Sequence, residues 1–397
     1  MNTQTLPRLR TGLLLLGTII ALCFAAVQPQ AAYASVLPGT TCTAVGLVRT
    51  CDLWATTGTL TLPAGSVPAS VTIWGYASDG VSPAGLPGPT LIAEAGETLE
   101  INLTNNLSEA TSLSIHGLSG PSDTTGAAPA GTKTYTYTGL QAGTYLYEAG
   151  PTANGERQVA MGMYGVLIVR PAGAPLQAYG PASAFDDEAV LVTSEIDPAL
   201  NAAPTGFNLR TFAPKYFLFN GKAYPDTTTI DTDAGRTVLL RLVNAGLENH
   251  SVGVLGLRYK VLSIDGKAFT YPHTAVAETL SAGQTADVLV SIPAAAPAGM
   301  KYAVYDSNLR LLNNGQSFGG MLTFLTIPAA LPGPDTVGPS ASGLTLSPNP
   351  SDGSGPVVFN AAASDVASGG NNIVAAEYFV GAPGTSGLGF AMTATDA

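Results

Sequence analysis

The sequence predicts an all-β fold built from two tandem β-sandwich domains, and three observations support this prediction. Alternating and β-branched runs recur at residues 71–74, 98–103 and 134–137, whereas no segment keeps the 3.6-residue periodicity of a helix. The chain also contains 46 Gly and 29 Pro among its 397 residues, which break these runs at short intervals, as turns do in sandwiches. Finally, one stretch of sequence recurs at a spacing of ~140 residues, which is the size of an ordinary domain.

The N-terminus has the three parts of a secretory signal. Arg8 and Arg10 form a basic start, residues 13–27 are apolar, and residues 32–34 offer a small-residue cleavage site. The apolar run is short for a bilayer span, which needs about 20 residues. We therefore predict a signal peptide over residues 1–34, a secreted or cell-surface protein, and no membrane span after cleavage.

Charge and cysteine content narrow the range of partners and cofactors. The formal net charge of −11 repels phosphate backbones, so a nucleic-acid partner is not expected. Because Cys23 lies in the predicted signal, Cys42 and Cys51 are the cysteines expected in the mature chain. Their separation and an oxidising compartment predict a disulfide within an N-terminal segment of residues 35–57. The alternative, a metal-binding pair, lacks a neighbouring His or a second cysteine pair.

The internal repeat divides the central part of the chain into two domains. Residues 95–105 recur as residues 234–244, and both copies begin with Ala-Gly-x-Thr and end with Asn. An Ala-Gly turn and a closing apolar strand follow each copy in the same order. These matches predict domains over residues 58–171 and 185–328, joined by a linker around residues 171–185.

A third and shorter unit follows a linker rich in Pro and Gly at residues 329–338. Residues 339–359 alternate polar and apolar side chains, and residues 375–380 form another strand-like run. The unit has fewer residues than a complete sandwich, which usually takes ~100. We therefore predict a partial β module over residues 339–397, which is similar to bacterial Ig-like modules.

Ordered motifs in the two repeats indicate a family. In the first repeat they are Gly-Pro-Thr-Leu at 88–91, Ala-Gly-Glu-Thr at 95–98, Ile-His-Gly at 115–117, Gly-Thr-Tyr-Leu-Tyr at 143–147 and the run at 158–169. In the second they are Phe-Asn-Gly-Lys at 219–222, Arg-Leu-Val-Asn-Ala-Gly at 241–246, Ser-Ile-Asp-Gly at 263–266 and the run at 281–290. In this order the motifs resemble the N-terminal and middle cupredoxin domains of multicopper oxidases, the family of laccases, bilirubin oxidases and copper nitrite reductases. The resemblance implies two Greek-key β-sandwiches of cupredoxin type.

The resemblance also implies where copper ligands should stand. The family reduces O₂ at a three-copper cluster held by eight histidines in His-x-His pairs, four of them from the first domain, and imidazole suits copper because it is a borderline donor. The first pair falls on Ser114 and His116, and the second falls on Glu148 and Gly150. One of the four ligands remains, and Ser114, Glu148 and Gly150 are degenerate ligand positions. No cysteine follows Cys51, so a thiolate copper site is not expected in either domain.

The chain has three histidines, and each allows a different interpretation. His116 is either a leftover imidazole bonded to the backbone or part of a weak single-metal site with Glu148 or a nearby Asp. His250 is expected to be structural, and His273 is expected in a surface loop. No catalytic residue and no bound cofactor are predicted, although copper is the cofactor of the resembled family.

These observations favour a catalytically silent, secreted relative of multicopper oxidases that acts as a structural or binding module at the cell surface. Its partner would be an unidentified surface protein or polymer, and a homo-oligomer stays open. The alternative is a copper-dependent oxidoreductase that combines His116 with ligands from another subunit or chain. A third interpretation is a copper-delivery or scaffold protein, because Met161 and Met163 are soft donors, although such methionines more often fill a core.

Overall fold

A computed structural model describes residues 42–328, 340–347, 358–364, 376–378 and 390–392. These residues fall into two compact units, which divide after Ile327. The predicted signal peptide of residues 1–34 lies outside the described residues. In the described part of the chain, no helix is long and apolar enough to cross a membrane.

The first half of the larger unit consists of nine strands and one short helix. In chain order these are β1 (Cys42–Val45), β2 (Val48–Thr61), β3 (Ser70–Ala77), β4 (Leu91–Glu94), β5 (Thr98–Asn105), β6 (Leu113–Ile115), β7 (Thr132–Tyr137), β8 (Gly143–Ala149), α1 (Gly155–Ala160) and β9 (Tyr164–Arg170). One sheet has the order β1-β2-β5-β7 with β3 also paired to β2, and the other has the order β4-β9-β8-β6. Side chains from both sheets form one core, which includes Leu53, Ile101, Tyr135, Leu91, Leu146 and Leu167.

The second half of the larger unit repeats this layered plan with larger sheets. Its elements are β10 (Asp187–Ile196), α2 (Pro198–Ala202), β11 (Tyr216–Phe219), β12 (Ile230–Asp231), β13 (Thr237–Asn244), β14 (His250–Val254), β15 (Tyr259–Ile264), β16 (Lys267–Ala275), β17 (Ala277–Leu280), β18 (Thr285–Ser291), β19 (Lys301–Asp306), β20 (Leu312–Asn313), β21 (Gln316–Ser317) and β22 (Leu322–Thr326). The sheet orders are β16-β15-β18-β13-β10-β11-β20-β21 and β12-β22-β19-β14-β17. The all-β prediction and the paired sandwiches are thereby confirmed.

The repeat predicted from sequence is also a repeat of hydrogen bonds. Asn105 at the end of β5 and Asn244 at the end of β13 each accept a bond from the backbone N–H two residues later. Each side-chain amide also donates to the carbonyl four residues later and to a second, more distant carbonyl. Both residues are fully buried. The hydrogen bonds of this Asn therefore hold the turn that follows each of the two strands.

Strands β10 and β13 are buried along almost their whole length, unlike the alternating β5. One face of the pair belongs to the core of the second sandwich, with Leu191 and Leu242. The other face packs into the core of the first sandwich through Val190, Val192 and Val243. A strand covered on both sides needs apolar residues on both faces, which explains why this copy of the repeat is more apolar than the first.

The predicted disulfide between Cys42 and Cys51 is present, and it joins opposed residues of the β1–β2 hairpin. Strand β2 runs without interruption across the predicted boundary between residues 57 and 58. It pairs with β5 from Val48 to Ala55 and with β3 from Trp54 to Thr61, so the N-terminal segment supplies a strand of the first sandwich. The domain limits from sequence otherwise stay predictions.

The smaller unit begins at Pro328, and its described residues form two hairpins. Strands β23 (Ser340–Ser347) and β24 (Val358–Ser364) form the first, and β25 (Glu377–Tyr378) and β26 (Phe390–Ala391) form the second. These strands agree with the β character expected of residues 339–397. The resemblance to an Ig-like module stays a prediction.

Candidate functional site

The four positions where the family places copper ligands converge at the end of the β6–β8 strand pair. Ser114 on β6 lies directly opposite Glu148 on β8 in the antiparallel register. His116 follows the last residue of β6, and Gly150 follows the last residue of β8. The strand register therefore brings these four positions close together.

His116 is held at both nitrogens of its ring. Its Nε2 lies 2.8 Å from Oε1 of Glu148, and its Nδ1 lies 3.1 Å from the backbone carbonyl oxygen of Gly283. A carbonyl and a carboxylate oxygen both accept hydrogen bonds, so this geometry favours the protonated ring, which donates from both nitrogens. The hydrogen bond to Glu148 accordingly raises the pKa of His116 and outweighs the opposing effect of burial.

Gly283 can accept this imidazole only because it is a glycine. Its φ of +81° lies in the left-handed region, and an added Cβ would lie 2.7 Å from Cε1 of His116. The two residues are 167 positions apart, and they belong to different sandwiches. The contact between them therefore depends on how the sandwiches pack, and a local sequence motif does not reveal it.

Gly150 stands where the family has its last histidine of the first domain, and little space is left there for a side chain. A Cβ on Gly150 would lie 2.4 Å from Oγ of Ser112. The backbone N–H of Gly150 donates to the carbonyl of Ser112 at 2.9 Å, which fixes this approach. A histidine at position 150 would therefore displace the Ser112 hydroxyl before it could reach a metal.

A solvent-open cleft of about 570 Å³ lies in front of these residues, and both sandwiches contribute to it. Charged and polar side chains form one part of the wall, and apolar side chains form the rest. The lining includes Ser114, His116, Glu148, Glu156, Ser122, Ile115, Leu118, Tyr137, Val159, Leu247, Gly246, Ala282 and Gly283. Gly150 also belongs to the lining. Sequence reasoning found Ser114, His116, Glu148 and Gly150, but it did not find Leu247 or Glu156, which carry no motif.

A buried carboxylate holds one wall of the cleft, the loop of residues 118–122. Asp123 accepts hydrogen bonds from the hydroxyl of Tyr135 and the side chain of Thr125, and it pairs with Lys133 at 2.7 Å. Burial alone would raise the pKa of Asp123, but Lys133 and these hydrogen bonds hold it well below its usual range. Asp123 therefore anchors the chain directly after this loop.

A second ion cluster holds the opposite wall at Leu247. The carboxylate of Glu195 accepts the backbone N–H groups of Leu247 and Glu248 at 2.9 and 3.2 Å. His250 lies between two carboxylates. Its Nε2 is 2.5 Å from Oε1 of Glu195, and its Nδ1 is 2.9 Å from Oδ2 of Asp306. Burial lowers the pKa of His250, but its hydrogen bonds to Asp306 and Glu195 outweigh this effect and raise the pKa to about 9. The structural role expected of His250 agrees with this geometry.

Two further expectations can be compared with the structure. His273 was expected in a loop, but it lies in the exposed strand β16, where it approaches Glu278. The expectation of a loop was wrong, because β16 is an edge strand, on which the neighbouring Pro272 is tolerated. Met161 and Met163 are fully buried, as expected of core residues.

The donor set of the cleft does not fit a copper cluster. Ser114 offers a hydroxyl, Glu148 a carboxylate that is already bonded to His116, and Gly150 no side chain. Within the described residues, no group of three or more His, Cys, Asp or Glu has an arrangement that could hold a metal ion. Cys42 and Cys51 are joined in a disulfide and offer no thiolate.

Comparison with known proteins agrees with the fold and the motifs. Residues 80–174 and 190–320 each match a family model described as multicopper oxidase. The tandem sandwiches are thus of the cupredoxin type. This chain belongs to the multicopper oxidase family.

Curated relatives and solved structures give the same result. The chain is 29% identical over 227 residues to Laccase-11 of Arabidopsis thaliana and 27% identical over 234 residues to Laccase-1 of Thanatephorus cucumeris. These matches cover 51% and 52% of this chain but 39% of each relative, so the chain spans about two fifths of their length. The blue copper oxidase of Nitrosomonas europaea has a similar fold, with a TM-score of 0.61 at 21% identity over 70% of this chain and 85% of that one. The copper nitrite reductase of the same organism gives 0.55 at 21% identity over 70% and 94%.

Proposed function

We propose that this chain is a secreted member of the multicopper oxidase family that works without the oxygen-reducing copper cluster, as a structural or binding module at the cell surface. The observation that carries the proposal is the engagement of both ring nitrogens of His116. A metal ligand must present an unprotonated nitrogen to the metal. The ring of His116 instead donates to Glu148 and Gly283.

The replaced ligands support the same conclusion. Copper in this family relies on imidazole, whereas the replacements at positions 114, 148 and 150 offer a hydroxyl, a carboxylate and no side chain. Glu148 has a role of its own in the present arrangement, because it neutralises the charge of His116 at 2.8 Å. The former ligand positions have thus become a self-contained ion pair beside a cleft.

Contacts between side chains account for the fold of the scaffold. Two apolar cores and the packed face between the sandwiches hold the fold, and all three consist of side chains. A scaffold of this kind can keep a binding surface after losing a catalytic centre, because fold and function are separable. The partner that we propose is a protein or polymer of the cell surface.

The alternative function is a copper-dependent oxidoreductase in which another chain completes the metal site. The observation that favours it is the exposure of His116, whose side chain is 40% accessible in a cleft that opens to solvent. This function requires that the bond from Nε2 to Glu148 or the bond from Nδ1 to Gly283 breaks when copper binds.

Copper analysis of the purified full chain distinguishes the two functions. After incubation with Cu²⁺ and removal of excess metal, we expect well below one copper per chain, no blue absorption band, and the same result for His116→Ala. His273→Ala is the matched control, because His273 is an exposed histidine outside the cleft. About one copper per chain that disappears in His116→Ala but not in His273→Ala would refute the proposal and support the alternative.

A further inference from the structure

The cleft in front of His116 has the size and the mixed lining of a small-molecule site. Its volume of about 570 Å³ falls within the range of ligand pockets. Both sandwiches contribute walls, and buried carboxylates fix two of these walls from behind. The cleft is therefore preformed, which lowers the entropic cost of binding a ligand.

The charged side chains of the cleft determine whether it attracts a cationic or an anionic ligand. Two carboxylates, Glu148 and Glu156, line the cleft, and no Lys or Arg belongs to its lining. The single cation of the lining, His116, bonds to Oε1 of Glu148, and the second oxygen of that carboxylate makes no hydrogen bond to the described residues. Glu156 is exposed and forms no ion pair in the part of the chain that the structure describes. A negative field of this kind attracts cations and repels anions.

The apolar side chains of the cleft favour a ligand that has an apolar part. Leu118, Val159 and Leu247 lie around the carboxylates, and they offer apolar surface that a hydrated metal ion would not use. The aromatic ring of Tyr137 also lines the cleft. The lining thus combines two carboxylates with apolar and aromatic side chains.

We propose that the cleft binds a small organic amine, with the ammonium group at Glu148 and Glu156 and the apolar body against Leu118, Val159 and Leu247. The inference rests on the proposed function, since a copper cluster would occupy the same space. An ammonium group offers three hydrogen-bond donors and a positive charge, which matches a carboxylate that has an unbonded oxygen. An anionic ligand would meet the carboxylates of Glu148 and Glu156, and a purely apolar ligand would leave the second oxygen of Glu148 without a hydrogen-bond donor.

Three probes that share a phenyl ring test this inference on the full chain. We expect 2-phenylethylamine to bind at least tenfold more tightly than neutral 2-phenylethanol, and anionic 3-phenylpropionate not to bind measurably, by titration calorimetry at near-neutral pH. Glu148→Gln and Glu156→Gln should each lower the affinity for the amine severalfold. Glu156 is exposed and forms no ion pair among the described residues, so Glu156→Gln should not disturb the fold, and a loss of affinity in this variant reflects the cleft itself. Glu278→Gln is the matched control, because Glu278 is a carboxylate outside the cleft.

The outcomes separate this inference from the proposed function. Equal binding of amine and alcohol, no binding of any probe, or affinities that ignore both cleft substitutions would overturn the amine site. Such results would leave the proposed copper-free module intact if the same preparation contains no copper. Stoichiometric copper in that preparation would overturn the proposed function whatever the titration shows.

Discussion

Single side chains show how the same residue type serves two purposes in this chain. His116 and His250 each bridge two oxygen acceptors, but His116 borders the cleft whereas His250 is fully buried between Glu195 and Asp306. A buried imidazolium between two carboxylates is stable only while all three partners are present. His250 is therefore a structural cation, and the wall at Leu247 depends on it through Glu195.

Substitution of His250 should destabilise the fold. His250→Gln leaves two buried carboxylates without a cation, and the loss of one partner from a buried ion cluster typically costs about 3 kcal/mol or more. The free energy of unfolding, measured by denaturant titration, should fall by about this amount. His273→Gln is the control and should change it by less than about 0.5 kcal/mol, because His273 is exposed. Equal stabilities of the two variants would contradict the role assigned to His250.

The same histidine predicts a pH dependence with a definite sign. The pKa of His250 is raised from 6.5 to about 9 in the folded chain. Its stabilisation is therefore complete below about pH 6.5 and is lost as the pH rises through about 9, and it amounts to about 3 kcal/mol. The difference in unfolding free energy between the wild type and His250→Gln should shrink across this window. A difference that stays constant between pH 6 and pH 9.5 would rule out the protonated form.

At the scale of elements, the ends of β5 and β13 repeat the same set of hydrogen bonds. In both copies the side-chain amide of a buried Asn donates to one carbonyl of its own turn and to a second, distant carbonyl. The turn after β13 continues into Gly246 and Leu247, which line the cleft. One copy thus supports the first sandwich, and the other supports a wall of the site.

Removal of either Asn should have a similar cost. Asn105→Ala and Asn244→Ala each leave buried backbone groups without a partner, which costs about 2–3 kcal/mol in unfolding free energy. Asn249→Ala, on the exposed surface of the same turn as Asn244, should change stability by less than about 0.5 kcal/mol. Thermal or denaturant unfolding of the three variants provides the comparison. A large effect at one Asn only would show that the two turns are not equivalent.

The elements also show what the sequence could reveal. Strand β5 was predictable because its alternation and its repeat lie within a few consecutive residues. The helix α1 was missed because its six residues are too few to establish a period. The four ligand positions were found through motifs, whereas the carbonyl of Gly283 was not, because the packing of two sandwiches brings it to His116.

Across the larger unit, the sandwiches are joined by polar contacts as well as by a shared apolar face. Thr144 on β8 donates from its hydroxyl to Asp287 at 2.5 Å and accepts from the buried guanidinium of Arg241 at 2.8 Å. Its backbone carbonyl also accepts from the hydroxyl of Thr285. Arg241 is in turn neutralised by Glu188 and Asp287. The first sandwich thus contributes the hydroxyl of Thr144 and, through Arg170 on β9, a guanidinium that pairs with Glu188 to a charged network of the second.

Loss of the Thr144 hydroxyl should weaken the contact between the two sandwiches. Thr144→Val keeps the shape of the side chain but leaves Asp287 and Arg241 with unmet hydrogen bonds, which should cost about 2–3 kcal/mol in unfolding free energy. Thr136→Val on the exposed face of β7 is the matched control and should be neutral within about 0.5 kcal/mol. Denaturant titration followed by fluorescence measures both. If Thr144→Val proved as neutral as the control, the network would not couple the two sandwiches.

The scarcity of imidazoles has a practical consequence for spectroscopy. His116, His250 and His273 occupy three distinct settings, a bridge between sandwiches, a buried ion cluster and an exposed edge strand. Nitrogen-15 spectra of the rings should therefore contain three sets of signals that single substitutions can assign. The Nδ1–H group of His116 belongs to the first sandwich, and the carbonyl that accepts its hydrogen bond belongs to the second. The chemical shift of this proton should therefore change if the two sandwiches move relative to each other.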